Sequence, residues 1–127
     1  MNADKRPCGD LSEVIIGRAF VVSNTLGVGF LEKVYENALA HELRKIGLSV
    51  RQQYNMQVWY DGVIVGVYTA DLLVEDSVLV ELKATKALDS MHGAQCLNYL
   101  KATGFALCLL MNFGNPRVEI RRIARGL

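Results

Sequence analysis

Three charged side chains stand in an otherwise apolar run: Tyr68-Thr-Ala-Asp71-Leu-Leu-Val-Glu-Asp-Ser-Val-Leu-Val-Glu81-Leu-Lys83. The run reads as two strands joined by a polar turn. Strand side chains alternate, so Glu81 and Lys83 share one face while Val80 and Leu82 share the other. A three-residue turn, Glu75-Asp76-Ser77, sets Val74 opposite Val78 and therefore Asp71 opposite Glu81. A two-residue turn would put the two carboxylates on opposite faces. With the longer turn, two acids and an ammonium converge on one patch. Paired acids repel unless a cation sits between them, which makes the patch suited to a metal ion. An ordinary ion pair on a strand would account for Glu81-x-Lys83 alone. The neighbours Val78, Leu79, Val80 and Leu82 leave it almost no solvated face, so the charges need a compensating partner.

The elements that must hold these residues follow from the rest of the chain. Met1 to Gly9 reads as a loose terminus. Asp10-Leu-Ser-Glu13 has the layout of a capping box. It opens a helix with Leu11, Val14, Ile15, Ala19 and Val22 on one face, ending near Asn24. After Gly27-Val-Gly29, a second helix from about Phe30 to Ile46 carries the stripe Leu31, Val34, Tyr35, Ala38, Leu39, Leu43 and Ile46, with Glu32 at its edge. Gly47 closes it. Val50–Tyr60 alternates, and Asp61-Gly62 is a two-residue hairpin signal leading into Val63–Val74. Val78–Ala84 adds a third strand. Asp89 or Ser90 caps a helix to about Thr103, stopped by Gly104, in which Gln95 and Tyr99 share a face. Phe105–Phe113 is a buried central strand, Gly114-Asn115-Pro116 a turn, and Val118–Ile123 the last strand.

At 127 residues and 51% hydrophobic content, the chain suits one domain over residues 1–127 with a real core. No apolar run is long enough to span a membrane and no signal-peptide layout opens the chain, so a cytoplasmic location is the default expectation. Cys8, Cys96 and Cys108 are odd in number and scattered, which suggests neither a disulfide framework nor a zinc site. Cys96 and Cys108 read as small core residues. A net charge of +1 is neutral about polyanions, although Arg117, Arg121, Arg122 and Arg125 cluster near the end. His41 and His92 read as surface or supporting residues.

The order of these motifs carries a family resemblance. Asp71, then Glu81-x-Lys83 after a hairpin and before a helix, resembles the PD-(D/E)XK nuclease superfamily. Gln95-Cys-Leu-Asn-Tyr99 resembles the Q-x-x-x-Y motif of its exonuclease-like branches. Gly29-Phe-Leu-Glu32-Lys-Val-Tyr35 is similar to the signature of the GxxExxY family, and Leu109-Leu-Met-Asn112-Phe-Gly114 with Glu119-Ile-Arg also matches. The resemblance covers about Leu11 to Arg122. This chain departs from it at Ser23, where the family often has His, and at Ala70, where the superfamily name places Pro.

The resemblance implies an α/β fold with a mixed central sheet flanked by helices, in the order α-α-β-β-β-α-β-β. It implies a magnesium-dependent nuclease, with manganese as a substitute, hydrolysing phosphodiester bonds of DNA or RNA. Asp71 and Glu81 would be direct ligands, the Leu82 carbonyl a third oxygen, and Glu32 a further ligand, direct or through water. Lys83 would orient or help deprotonate the attacking water and offset developing charge. Gln95 and Tyr99 would hold a phosphate or order the charged groups. The competing expectation is a nucleic-acid-binding or protein-interaction module whose activity is weak or lost. With no evident insert for substrate recognition, a homodimer or partner protein is a further expectation.

Overall fold

Runs of Val and Leu form the middle of the sheet because both of its faces are covered. In the computed structural model, which describes residues 8–125, the elements are α1 (Gly9–Leu26), α2 (Glu32–Lys45), β1 (Val50–Tyr60), β2 (Val63–Val74), β3 (Val78–Lys83), α3 (Ser90–Thr103), β4 (Leu107–Asn112) and β5 (Glu119–Ala124). The strands lie in the spatial order β1-β2-β3-β4-β5. The β3/β4 pair is parallel and the other three are antiparallel. Helix α3 makes the crossover that a parallel pair requires. This is the expected mixed sheet flanked by helices, with the expected element order.

Two apolar layers sandwich the sheet. On one face Ile15, Ala19, Tyr35, Leu39 and Leu43 of α1 and α2 meet Leu72, Val80, Leu82, Leu109 and Met111. On the other, Cys96, Tyr99 and Leu100 of α3 meet Leu73, Leu79, Cys108 and Leu110. Buried Cys96 and Cys108 are thus core residues, as their apolar surroundings in sequence suggested.

The helix ends differ from expectation in instructive ways. The Asp10–Glu13 capping box does not form: α1 already includes Gly9, so Asp10 lies in its first turn, where it cannot act as the N-cap. There the Ser12 hydroxyl donates to the Gly9 carbonyl at 2.8 Å. Cys8 and Gly9, expected in a loose terminus, belong to the start of this helix, and residues 1–7 lie outside the described residues. Helix α1 runs to Leu26, two residues past the expected end, and the Gly27 N–H, with φ +70, caps the Ser23 carbonyl. In α2 the buried face is Tyr35, Glu36, Leu39, Ala40 and Leu43, whereas Leu31, Val34 and Ile46 of the expected stripe are exposed. Tyr35 sets this rotation. Its ring stacks on Phe113 at 4.8 Å and its hydroxyl donates to the Gly27 carbonyl at 2.7 Å.

Helix α3 starts as its sequence indicates. The Asp89 carboxylate accepts from the Met91 and His92 N–H groups, and His92 Nδ1 accepts the Asp89 N–H in return. His92 therefore works as half of a cap. No helix among the described residues is long and apolar enough to cross a membrane.

Candidate active site

The three-residue turn forms, and it fixes the register. Val74, Leu73 and Leu72 pair with Val78, Leu79 and Val80, so the next step brings Asp71 across from Glu81. There the two acids lace the strands together. The Asp71 N–H donates to Glu81 Oε1 at 3.2 Å, and the Leu82 N–H donates to Asp71 Oδ2 at 2.8 Å. A charge-assisted bond of the second kind contributes about 1.5–3 kcal/mol.

A change of face in the β1–β2 hairpin explains how Asp71 reaches this position. Val50, Leu72 and Val74 pack on the α1/α2 side, yet Tyr54, Met56 and Ala70 pack on the α3 side. All six are even-numbered, and uninterrupted alternation would keep each strand's residues on one face. The switch falls at Gln53 and Asp71, the one step missing from the ladder between Gln52↔Leu72 and Tyr54↔Ala70. Gln53 has φ +55, a left-handed conformation uncommon for a residue other than glycine. Asp71 consequently sits where the sheet turns over, within reach of groups from both helix layers.

From the α3 layer, the Tyr99 hydroxyl donates to Glu81 Oε2 at 3.1 Å. Lys83 Nζ lies 3.7 Å from the same oxygen. Burial, with the Asp71 charge second, pushes the Glu81 carboxyl up to about 8, while Lys83 pulls the other way. Burial and the neighbouring Glu81 raise the Tyr99 phenol as well, keeping it a proton donor. From the α2 layer comes Glu36, only 3% exposed. It accepts from Gln53 Nε2 at 2.7 Å, Gln52 Nε2 at 2.7 Å and Lys33 Nζ at 3.1 Å. The same Gln53 amide reaches Asp71 Oδ1 at 3.3 Å. Gln53 thus links the α2 glutamate to the strand acid.

Of the residues expected at the site, Asp71, Glu81, Lys83, Leu82 and Tyr99 come together. Glu32 does not. It stands exposed in the first turn of α2 and makes no hydrogen bond or ion pair among the described residues. The correction follows from the rotation of α2, which turns Glu36 inward in its place. Of the other motif letters, Gly29 (φ +106) and Tyr35 shape the α1–α2 loop. Gln95 is half-buried one turn before Tyr99 and opens onto a cleft with Tyr68 and Met91, without bonding to the acids.

Glu36 and Gln53 were not anticipated. Glu36 had a signal, since it shares helical spacing with Leu39, Ala40 and Leu43 and so interrupts an apolar face with a charge. Asn112, in the sequence only a letter of the matching tail motif, proves to be a buried clamp. Buried completely, it accepts the Thr85 and Gly114 N–H groups at 3.0 Å each and donates to the Thr85 carbonyl at 2.9 Å. A Cβ on Gly114 would lie 2.0 Å from that carbonyl, so only glycine fits. This clamp holds the segment just after Lys83. The C-terminal arginines serve packing: Arg122 donates to the Ser12 hydroxyl, Arg121 pairs with Glu119, and Arg117 covers the Phe20 ring.

Among the described residues no three His, Cys, Asp or Glu side chains gather as a metal-binding cluster. The side-chain donors are the two acids. The backbone adds another oxygen: the Lys83 carbonyl accepts the Phe113 N–H on the β4 side at 2.8 Å, and the Leu82 N–H points to β2. Alternation along a strand then aims the Leu82 carbonyl to the β2 side as well, the side from which Asp71 reaches across.

Comparison with curated proteins gives no match. Among solved structures, an alkaline exonuclease (LHK-Exo) from Laribacter hongkongensis is similar in fold, with a TM-score of 0.55 and 17% identity over 99% of this chain and 73% of its own. The protein SSO0001 is similar with a TM-score of 0.55 and 18% identity, over 94% of this chain and 60% of its own. The family model of the PD-(D/E)XK nuclease superfamily matches residues 9–123. With that match over nearly all the described elements, the chain belongs to the PD-(D/E)XK nuclease superfamily.

Proposed function

We propose that this protein is a divalent-metal-dependent nuclease of the GxxExxY type, hydrolysing phosphodiester bonds of DNA or RNA, with residues 1–127 acting as one catalytic domain. The observation that carries this reading is the convergence of Asp71 and Glu81 at the point where β2 changes face, with Lys83 beside them. Two acids and the Leu82 carbonyl offer only hard oxygen donors, which suits magnesium or manganese keeping several of its waters. The raised Glu81 carboxyl supports the fit, because a bound cation would relieve the burial and repulsion that raise it.

Bound there, a divalent ion would supply Lewis acidity toward the phosphate and charge for the leaving oxygen. The chain's own residues do the positioning. Gln53 and the Leu82 N–H hold the two Asp71 oxygens, and Tyr99 holds Glu81. Glu36, fixed by Gln52 and Gln53, supports Asp71 from behind and takes the place expected of Glu32. The Lys83 ammonium orients the attacking water, accepts no metal, and offsets charge that builds on the phosphate. The Asn112–Thr85 clamp keeps Lys83 from swinging away.

The competing reading is a binding module with weak or lost activity. It is favoured by the presence of only two ligating side chains in the described site. A cleavage assay separates the two: single- and double-stranded DNA and RNA are incubated with magnesium, then manganese, then EDTA. Metal-dependent cutting lost in Asp71→Asn supports the nuclease. Binding without cutting under every metal supports the module.

A further inference from the structure

The α3 side of the sheet carries a groove that the chemistry above leaves unused. At its inner end it is walled by Tyr99, Gln95, Asn98 and Tyr68; past Tyr68 and Asn98 it continues to Trp59 and Lys101. Its inner end adjoins the acid pair through a single ring: Tyr68 lies 6.0 Å from Tyr99, whose hydroxyl holds Glu81. Two large rings stand in water along it: Trp59 is 58% exposed and Tyr68 46%.

Their spacing is set by the strands. Tyr68 and Gly66 share this face of β2; a bulge that skips Val65 then shifts the register, so that Trp59 pairs with Ile64 and still borders the groove. Four residues of strand separate Tyr68 from Ile64, so the two aromatic side chains are rooted roughly 13 Å apart. Between them is Gly66, where an added Cβ would meet nothing within 4 Å. Packing does not demand a glycine there; its effect is a bare floor between the rings.

The charge pattern narrows the occupant. From Tyr54 to Thr69 the only charged residue is Asp61, at the far turn. The groove is lined by one cation, Lys101, with the amides of Gln95 and Asn98, and by no acid. Exposed π-faces with one phosphate partner and neutral hydrogen-bonding groups suit unpaired bases, which can splay and stack on aromatic rings. Bases inside a duplex cannot present those faces. We propose that this groove is a stacking subsite for a single-stranded nucleic acid, with Trp59 and Tyr68 as platforms, Lys101 on the backbone, and the strand led past Tyr99 toward Asp71 and Glu81. The direction of travel rests on the nuclease reading; the stacking does not.

Trp59 is the only tryptophan in the chain, so its fluorescence reports on the subsite directly. With EDTA present to prevent cutting, the protein is titrated with thymine or uracil oligonucleotides of about 10–15 nucleotides, a length matched to single-strand sites. The expected result is saturable quenching by the single strand and little by a blunt duplex of equal length. Trp59→Ala should weaken binding of an end-labelled strand, read by anisotropy, by roughly 5- to 150-fold, and Trp59→Phe should restore most of it. Equal quenching by duplex, unchanged affinity in Trp59→Ala, or absent quenching from a protein that cuts nucleic acid overturns the proposal. So does a fluorescence change with protein concentration alone, accompanied by loss of a dimer in Trp59→Ala, since a second copy would then occupy the groove. Quenching by single strands from a protein that cuts nothing supports the subsite and defeats the nuclease reading instead.

Discussion

The Asp71 carboxylate accepts the Leu82 N–H across 2.8 Å, in the place a backbone carbonyl of β2 would fill in an uninterrupted ladder. One side chain therefore does two things: it continues the sheet and it brings a charge beside buried Glu81. Separating those effects is the first experimental task.

Replacing Asp71 with Asn keeps an oxygen for the Leu82 N–H and removes the charge. Urea unfolding of the metal-free variant should give a stability no lower than wild type, while manganese affinity falls at least about tenfold. A loss of more than roughly 3 kcal/mol would mark Asp71 as a structural anchor rather than a ligand.

Glu81 makes metal-free stability depend on pH. Its carboxyl is raised from 4.5 to about 8 in the folded protein, so between those values the native state keeps a proton that the unfolded chain has lost. Stability should therefore fall as pH rises across that window and level off above it. Urea titrations at successive pH values check this, with Glu81→Gln as the variant whose profile loses that slope. Calorimetry near neutral pH should also detect a proton released when manganese binds, because the ligand must be ionised. A wild-type profile no steeper than the variant's would refute the assignment.

Lys83→Met retains most of the stem and deletes the ammonium. Metal and nucleic acid should still bind, with turnover down at least roughly a hundredfold. Undiminished cutting in single-turnover assays would remove Lys83 from the chemistry even if the protein is a nuclease.

Glu36 and Glu32 offer a paired contrast on one helix. Glu36→Gln disturbs a buried carboxylate that accepts from two glutamines, and cleavage should drop at least about tenfold. Glu32→Gln changes an exposed side chain, and its rate should stay within about twofold of wild type. The reverse pattern would return Glu32 to the site.

What could be read from the sequence depended on whether a residue's position followed from local periodicity. Asp71 faces Glu81 because turn length sets register, and the Val and Leu runs around them mark a strand buried on both sides. The phase of α2 was harder to read. Leu31, Val34 and Ile46 extend an apolar stripe on paper, but the stacking of Tyr35 on Phe113, distant in sequence, turns the helix so that Glu36 faces inward. Gln53 was illegible. The alternation of Tyr54, Met56 and Val58 gives no hint that the strand has just changed face, and a left-handed backbone at glutamine has no local signal. Asn112 could be seen as part of a motif, yet its grip on Thr85 is a contact across 27 positions.

The change of face at Gln53 and Asp71 splits the hairpin into two ribbons spliced end to end. The inner ribbon is covered by helices on both sides and carries the register that sets Asp71 against Glu81. The outer ribbon ends in a turn where Asp61 and Gly62 both have positive φ, and it leaves Tyr60, Val63, Val65 and Val67 exposed. Residues can be added or exchanged beyond the splice without shifting the inner pairing, since turns at exposed tips tolerate insertion. The sheet thereby confines the geometry that sets Asp71 against Glu81 to one segment and leaves the other structurally independent of it.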